Sequence, residues 1–197
     1  MKTSGLRNSW LLGAIALSLL SDAAVWAHST PLPPETIKQV GATAIVYKGP
    51  QVDVVVSYRF AAQNPTGTWL MLDTLMTAAT EAVELPRTSI WVRTPTGKVV
   101  PLATQRAFGE AYSELAASIA RANVFREPLG YLPPLRVRPL EYFSEPGRHL
   151  SFESVWLDEW HNTYGRLYFQ LPENIQRGKY ELLINLSQSQ VRIPFAI

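Results

Sequence analysis

The chain has 197 residues, no cysteine, 47% apolar residues and a formal charge of only +2. Without cysteine, disulfides, redox pairs and thiolate metal sites are excluded. Near-neutral charge argues against nucleic acid as a partner, because phosphate binding needs a concentrated basic face. A chain of this length suits one domain held by core packing alone.

Residues 1–27 read as an export signal: Lys2 and Arg7 supply positive charge, "WLLGAIALSLL" an apolar run, and "VWA" the small residues of a cleavage site. The run is shorter than the about 20 apolar residues a membrane-spanning helix needs. Cleavage after Ala27 satisfies the small-residue rule through Val25 and Ala27 and makes His28 the first mature residue. Removing Lys2, Arg7 and Asp22 from 18 basic and 16 acidic residues leaves a charge of +1. The expectation is a periplasmic or secreted protein with no stable membrane span after cleavage. Residues 28–39, beginning "HSTPLPPE", form an extended proline-rich leader, and residues 40–197 form the domain.

In "QVDVVVSYRF", Val52, Val54, Val56, Tyr58 and Phe60 share one face and Asp53, Ser57 and Arg59 the other, the pattern of a half-buried strand. "GTWLMLDTLMTAA" is almost continuously apolar, as expected of a strand covered on both faces. "TSIWVRTPTGKVVPL" reads as strand, turn, strand, with proline and glycine supplying the reversal. Between about residues 105 and 125 the period becomes helical through Phe108, Tyr112, Leu115, Ile119 and Ala122, with Glu110 and Glu114 early and Arg121 late, as the helix dipole favours. The proline-rich stretch up to residue 147 is a connection, strand-like only around "VRPLEYF". Four strands follow, in "HLSFESVWL", "GRLYFQL", "KYELLINL" and "VRIPFAI", separated by "DEWHNTY", "PENIQRG" and "SQSQ". About eight short strands at this spacing predict a mainly β fold, an antiparallel two-sheet immunoglobulin-like sandwich with one inserted amphipathic helix. Val54, Val56, Leu72, Ile90, Phe169 and Ile184 are its expected core residues.

The strand–turn–strand pattern "SIWVRTPTGKVVPL" and the ending "GRLYFQLPENIQRGKYELLINLSQSQVRIPF" resemble those of exported bacterial immunoglobulin-like β-sandwich proteins of uncharacterised function. The resemblance spans about residues 40–197 and implies a fold but no activity. The inserted helix departs from a minimal sandwich and leaves the strand order open.

Motifs of catalysis are missing: no G-x-S-x-G elbow, no glycine-rich phosphate loop, no H-E-x-x-H pair and no cysteine nucleophile. The histidines are His28, His149 and His161. An amino-terminal His28 can chelate copper through its amine and ring, with His149 or His161 completing the site. "ESVWLDEWHNTYG" gathers the binding candidates Trp156, Asp158, Trp160, His161 and Tyr164, aromatic rings beside carboxylates and a histidine that suit a sugar or peptide surface. Extended, Trp156, Asp158 and Trp160 would share one face, and Glu159 and His161 the other. The competing account is tryptophans anchoring the core above a solvated loop. Arg121, Arg126, Arg136, Arg138 and Arg148 gather around the proline-rich connection, either as an anion pocket or as partners for nearby glutamates. The leading expectation is an exported, non-catalytic binding or structural module of the cell envelope, its partner a protein or envelope ligand and no cofactor needed. The alternatives are a periplasmic copper protein using His28 and a hydrolase with dispersed carboxylates.

Overall fold

β-Branched and aromatic residues alternating between turn signals form strands through most of the chain. The structure is a computed structural model that describes residues 34–197 apart from 125, 127, 128 and 149. Its strands are β1 (Thr36–Val40), β2 (Ala44–Lys48), β3 (Val52–Ser57), β4 (Trp69–Ala78), β5 (Val83–Pro86), β6 (Ile90–Arg93), β7 (Val99–Pro101), β8 (Arg136–Pro139), β9 (Ser154–Leu157), β10 (His161–Gln170), β11 (Lys179–Asn185) and β12 (Gln190–Ala196). The helices are α1 (Arg59–Gln63), α2 (Gln105–Glu110) and α3 (Tyr112–Val124), and a 3-10 turn occupies Arg87–Ser89. Among the described residues no helix is long and apolar enough to cross a membrane.

The strands form a six-stranded sheet in the order β1-β2-β3-β4-β10-β8, a four-stranded sheet β12-β11-β6-β7 and a two-stranded ribbon β5-β9. Every pairing is antiparallel except that of β8 with β10, which makes the largest sheet mixed. β8 lies at the edge, where Pro139 can be tolerated without a ladder donor. The reversal between β6 and β7 places Gly97 at φ 83, a left-handed conformation that side chains disfavour.

Period-two alternation sends Leu70, Leu72 and Met76 of β4 and Leu167 and Phe169 of β10 into one apolar cluster. Ile90 and Val92 of β6, Leu182 and Ile184 of β11, and Val191, Ile193 and Phe195 of β12 enter the same cluster from the four-stranded sheet, and Val83, Leu85 and Leu157 enter it from the ribbon. All six expected core residues are buried there. The other face of the large sheet is covered too. Trp69, Met71 and Tyr168 pack with Phe108, Leu115 and Ala122 of the helical arm, while Val46, Val55 and Leu75 pack with Leu129 and Leu132.

Arg87 ties the loops to this frame. Its guanidinium donates to Ala103 O and Phe152 O, both at 3.0 Å, to Tyr142 O, and through Nε to Glu153 at 3.1 Å. Only 3% of its side chain is exposed. Phe143 lies under the guanidinium at 4.9 Å, and the Tyr142 hydroxyl donates to Leu85 O at 2.6 Å.

The structure corrects several expectations. The strand read through Phe60 stops at Ser57, because α1 turns the chain at Arg59. That strand is not half-buried: β3 lies inside the sheet between β2 and β4, and the segment carrying Leu129 and Leu132 covers Val55. The single helix of residues 105–125 is broken at Ala111 into α2, capped by the Thr104 hydroxyl on Ala107 N–H at 3.1 Å, and α3; residue 125 lies outside the described residues. Its apolar stripe is as read, since Phe108, Tyr112, Leu115, Ile119 and Ala122 share one cluster. The end of the leader pairs as β1 with β2, whereas residues 28–33 lie outside the described residues. Twelve strands in three sheets replace about eight strands in two, among the described residues.

Candidate functional site

The stretch from Ser154 to Tyr164 is a strand end, a turn and the start of the long strand β10. In the ribbon, Val83 faces Leu157 and Leu85 faces Val155; Leu85 and Leu157 are fully buried, Val83 is buried and Val155 partly so. Alternation then turns the intervening pair, Glu84 and Trp156, to the opposite side. Trp156 is accordingly 58% exposed. It does not anchor the core, and neither does Trp160 in the turn, 69% exposed.

Asp158 locks the turn. Its Oδ1 accepts from Trp160 N–H and His161 N–H, both at 2.9 Å, and meets His161 Nδ1 at 2.9 Å. Its Oδ2 pairs with Arg138 Nη1 at 3.0 Å. Arg138 also reaches Thr163 Oγ1 and Trp156 O, so β8 and the turn are joined through one guanidinium. Burial alone would raise the Asp158 carboxyl, but the hydrogen bonds from His161 and Trp160 and the Arg138 charge outweigh it and hold the group below the ordinary carboxylate value. The turn also overturns the expected division of faces, for Asp158 and His161 meet rather than point apart. "DEWHNTY" is only partly a loop, since His161 opens β10 and Asn162 and Thr163 are buried. Tyr164 packs inward beside Val46, Val55 and Leu75.

Of the candidates, Trp156 alone enters a sizeable cleft. This depression of about 660 Å3 is bounded by the β2–β3 turn, the β4–β5 connection, the ribbon and the β11–β12 turn. Its polar lining includes Gln51, Glu81, Glu84, Asn185, Ser187 and Gln188. Gln51 knits two of these turns together, donating from Nε2 to Ser187 Oγ at 3.2 Å and accepting at Oε1 from Gln188 N–H at 3.1 Å and Ser189 Oγ at 2.8 Å. A flat indole face thus stands beside amides, hydroxyls and carboxylates held on short, crosslinked turns. Gln51 and Ser187 carry no sequence signal, because they lie in separate turns that meet only in the fold.

Among the arginines of the proline-rich connection, Arg138 and Arg148 have carboxylate partners, Asp158 and Glu145. An ion pair with both side chains buried has no motif of its own in the sequence: Asp73 of β4 and Arg166 of β10, with Nε to Oδ1 at 2.8 Å. A lone acid in the apolar run "WLMLDTLM" was its signal. His28 and His149, two of the three possible copper ligands, lie outside the described residues. Among the described residues no three His, Cys, Asp or Glu side chains gather where they could hold a metal ion. Comparison of the chain with protein-family models, with curated proteins and with solved structures found no match.

Proposed function

We propose that this protein is an exported, non-catalytic binding module of the cell envelope, periplasmic or secreted, whose Trp156 cleft takes a saccharide. The observation that carries the reading is Trp156 itself, a tryptophan more than half exposed that lines a cleft of about 660 Å3 together with amide and hydroxyl side chains. A sugar ring has an apolar C–H face that packs on an indole and a rim of hydroxyls that need donors and acceptors of the kind Gln51, Asn185 and Glu84 carry. Folding does not favour exposing so large an apolar side chain, and the ribbon's Val83, Leu85 and Leu157 are buried, so the exposed indole points to a binding role. The scaffold is read as an immunoglobulin-like sandwich with the helical arm as an insertion; what supports this is the apolar cluster that the two larger sheets share, and the parallel β8 and the ribbon are departures from it.

The test is a panel of immobilised oligosaccharides that includes peptidoglycan fragments, probed with the protein starting at His28. Retention of at least one saccharide, weakened about tenfold or more by Trp156→Ala and not by Trp160→Ala, is expected. No retention of any saccharide, or equal loss in both variants, refutes the reading. Export is tested separately: the chain recovered from the envelope fraction should have the intact mass of a protein beginning at His28.

A further inference from the structure

On the outward face of the six-stranded sheet, β4 and β10 set Asp73 directly opposite Arg166. Only 7% of the Arg166 side chain is exposed. Along the same face, Met71 and Tyr168 belong to one apolar cluster and Leu75 and Tyr164 to another, so the ion pair is flanked by apolar packing on both sides. In such surroundings unmatched donors and charge are costly. Asp73 matches one edge of the guanidinium, at Nε. Nη1 lies a long 3.3 Å from Asn123 Oδ1, the Tyr168 hydroxyl also interacts with the guanidinium, and Nη2 is left without a hydrogen-bond partner among the described residues.

Arg166 lines a cleft of about 240 Å3 between the sheet and the α2–α3 arm. A second guanidinium stands on that cleft: Arg126, its Cζ 4.8 Å from the centroid of the Tyr164 ring. Its Nη2 lies 3.5 Å from the same Asn123 Oδ1. One neutral amide oxygen therefore serves two cations at long range. The carboxylate of Glu145, also on the cleft, is paired with Arg148 at 3.1 Å. Phe108, Phe143 and Tyr168 complete the wall as a mutually packed trio, their ring centroids 4.8 to 5.1 Å apart.

We propose that this cleft is a second ligand site, for a small monocarboxylate with an aromatic body, the carboxylate between Arg126 and Arg166 and the ring against Phe108, Phe143 and Tyr168. A carboxylate supplies the oxygen acceptors that the guanidinium donors lack, in the geometry they favour. The aromatic wall selects the body by offset or edge-on ring packing. The volume sets the size, since it falls below the about 300–1,000 Å3 of pockets for drug-sized ligands. The same chemistry occurs in a free aromatic acid and in the carboxyl end of a peptide that terminates in an aromatic residue.

Calorimetric titration with benzoate, N-acetylphenylalanine, benzamide and inorganic phosphate tests the site and its source. Saturable binding of benzoate or N-acetylphenylalanine is expected, the tighter of the two indicating a free acid or a peptide end. Benzamide, which has the ring but no charge, should bind about tenfold or more weakly. Arg126 is exposed, so Arg126→Gln should keep the fold, checked by its amide spectrum, and weaken binding of the preferred acid about tenfold or more. Trp156→Ala should leave this binding unchanged, which separates the site from the saccharide cleft. Equal binding of benzamide and benzoate, phosphate binding as tight as either acid, no effect of Arg126→Gln, or no saturable binding of either acid overturns the proposal.

Discussion

Replacing Arg87 by methionine keeps much of the side-chain volume and removes every donor. The structure shows what would be left behind: the carbonyls of Ala103 and Tyr142, both at fully buried bonds, the partly buried carbonyl of Phe152, and the Glu153 carboxylate. Burial pulls the Arg87 pKa down while Glu153 pushes it back up, so the site holds a charge at some cost in desolvation. A buried carbonyl stripped of its donor costs about 1 to 3 kcal/mol. Two fully buried ones, with partial relief from water at Phe152, put the loss for Arg87→Met at about 3 to 5 kcal/mol. Glu153→Ala, in contrast, removes a carboxylate that is 77% exposed and should cost under about 1 kcal/mol. Urea denaturation of both variants, read as midpoint shifts at constant slope, measures the two losses. Equal losses, or an Arg87→Met loss below about 1 kcal/mol, would refute the argument that the carbonyls rather than the ion pair make Arg87 the tie between the loops.

Phe169→Ala should cost about 3 to 5 kcal/mol in the same assay, because the side chain is fully buried in the cluster shared by the sheets. Gly165→Ala should cost about 1 to 3 kcal/mol, since a Cβ there would lie 2.5 Å from Leu140 Cβ; trimming Leu140 to alanine in the Gly165→Ala background should recover part of it. Burial raises the Tyr142 hydroxyl and, with Asp73 nearby, pushes the Tyr164 hydroxyl up to about 12. The native state then keeps protons that the unfolded chain releases near pH 10, so this contribution is full below about pH 10 and is lost as pH rises through the native values. Urea midpoints should hold up to about pH 10 and fall between about pH 10 and pH 12, and Tyr164→Phe should flatten that fall.

The strands that were legible are those whose alternation records burial. In β11, Tyr180, Leu182 and Ile184 face the shared core, and in β12 Val191, Ile193 and Phe195 do so. The helical arm was legible for the same reason, as its stripe is the face laid on Trp69, Met71 and Tyr168. β1 left no such record, because four of its five residues are exposed and its pairing with β2 has no apolar alternation behind it. β5 is four residues ending in proline and pairs with a strand some seventy positions away. Partner choice is long-range information, which is why β6 and β7 join β11 and β12 although they follow β4 in the chain. The same limit governed the site. Trp156 stood out locally, whereas Gln51 and Ser187 are 136 positions apart and meet only in the fold. Asp73 was visible as a lone acid among apolar residues, but its partner Arg166 lies 93 positions on.

The saccharide cleft is tested most directly by nuclear magnetic resonance of the folded protein, titrated with the best-retained oligosaccharide of the panel. The indole Nε1–H of Trp156 and the side-chain amides of Gln51 and Asn185 should shift together and saturate at one equivalent, with the Trp160 indole unmoved. Shifts confined to Trp160, or no saturable shift at Trp156, would contradict the assignment of the cleft as the binding site.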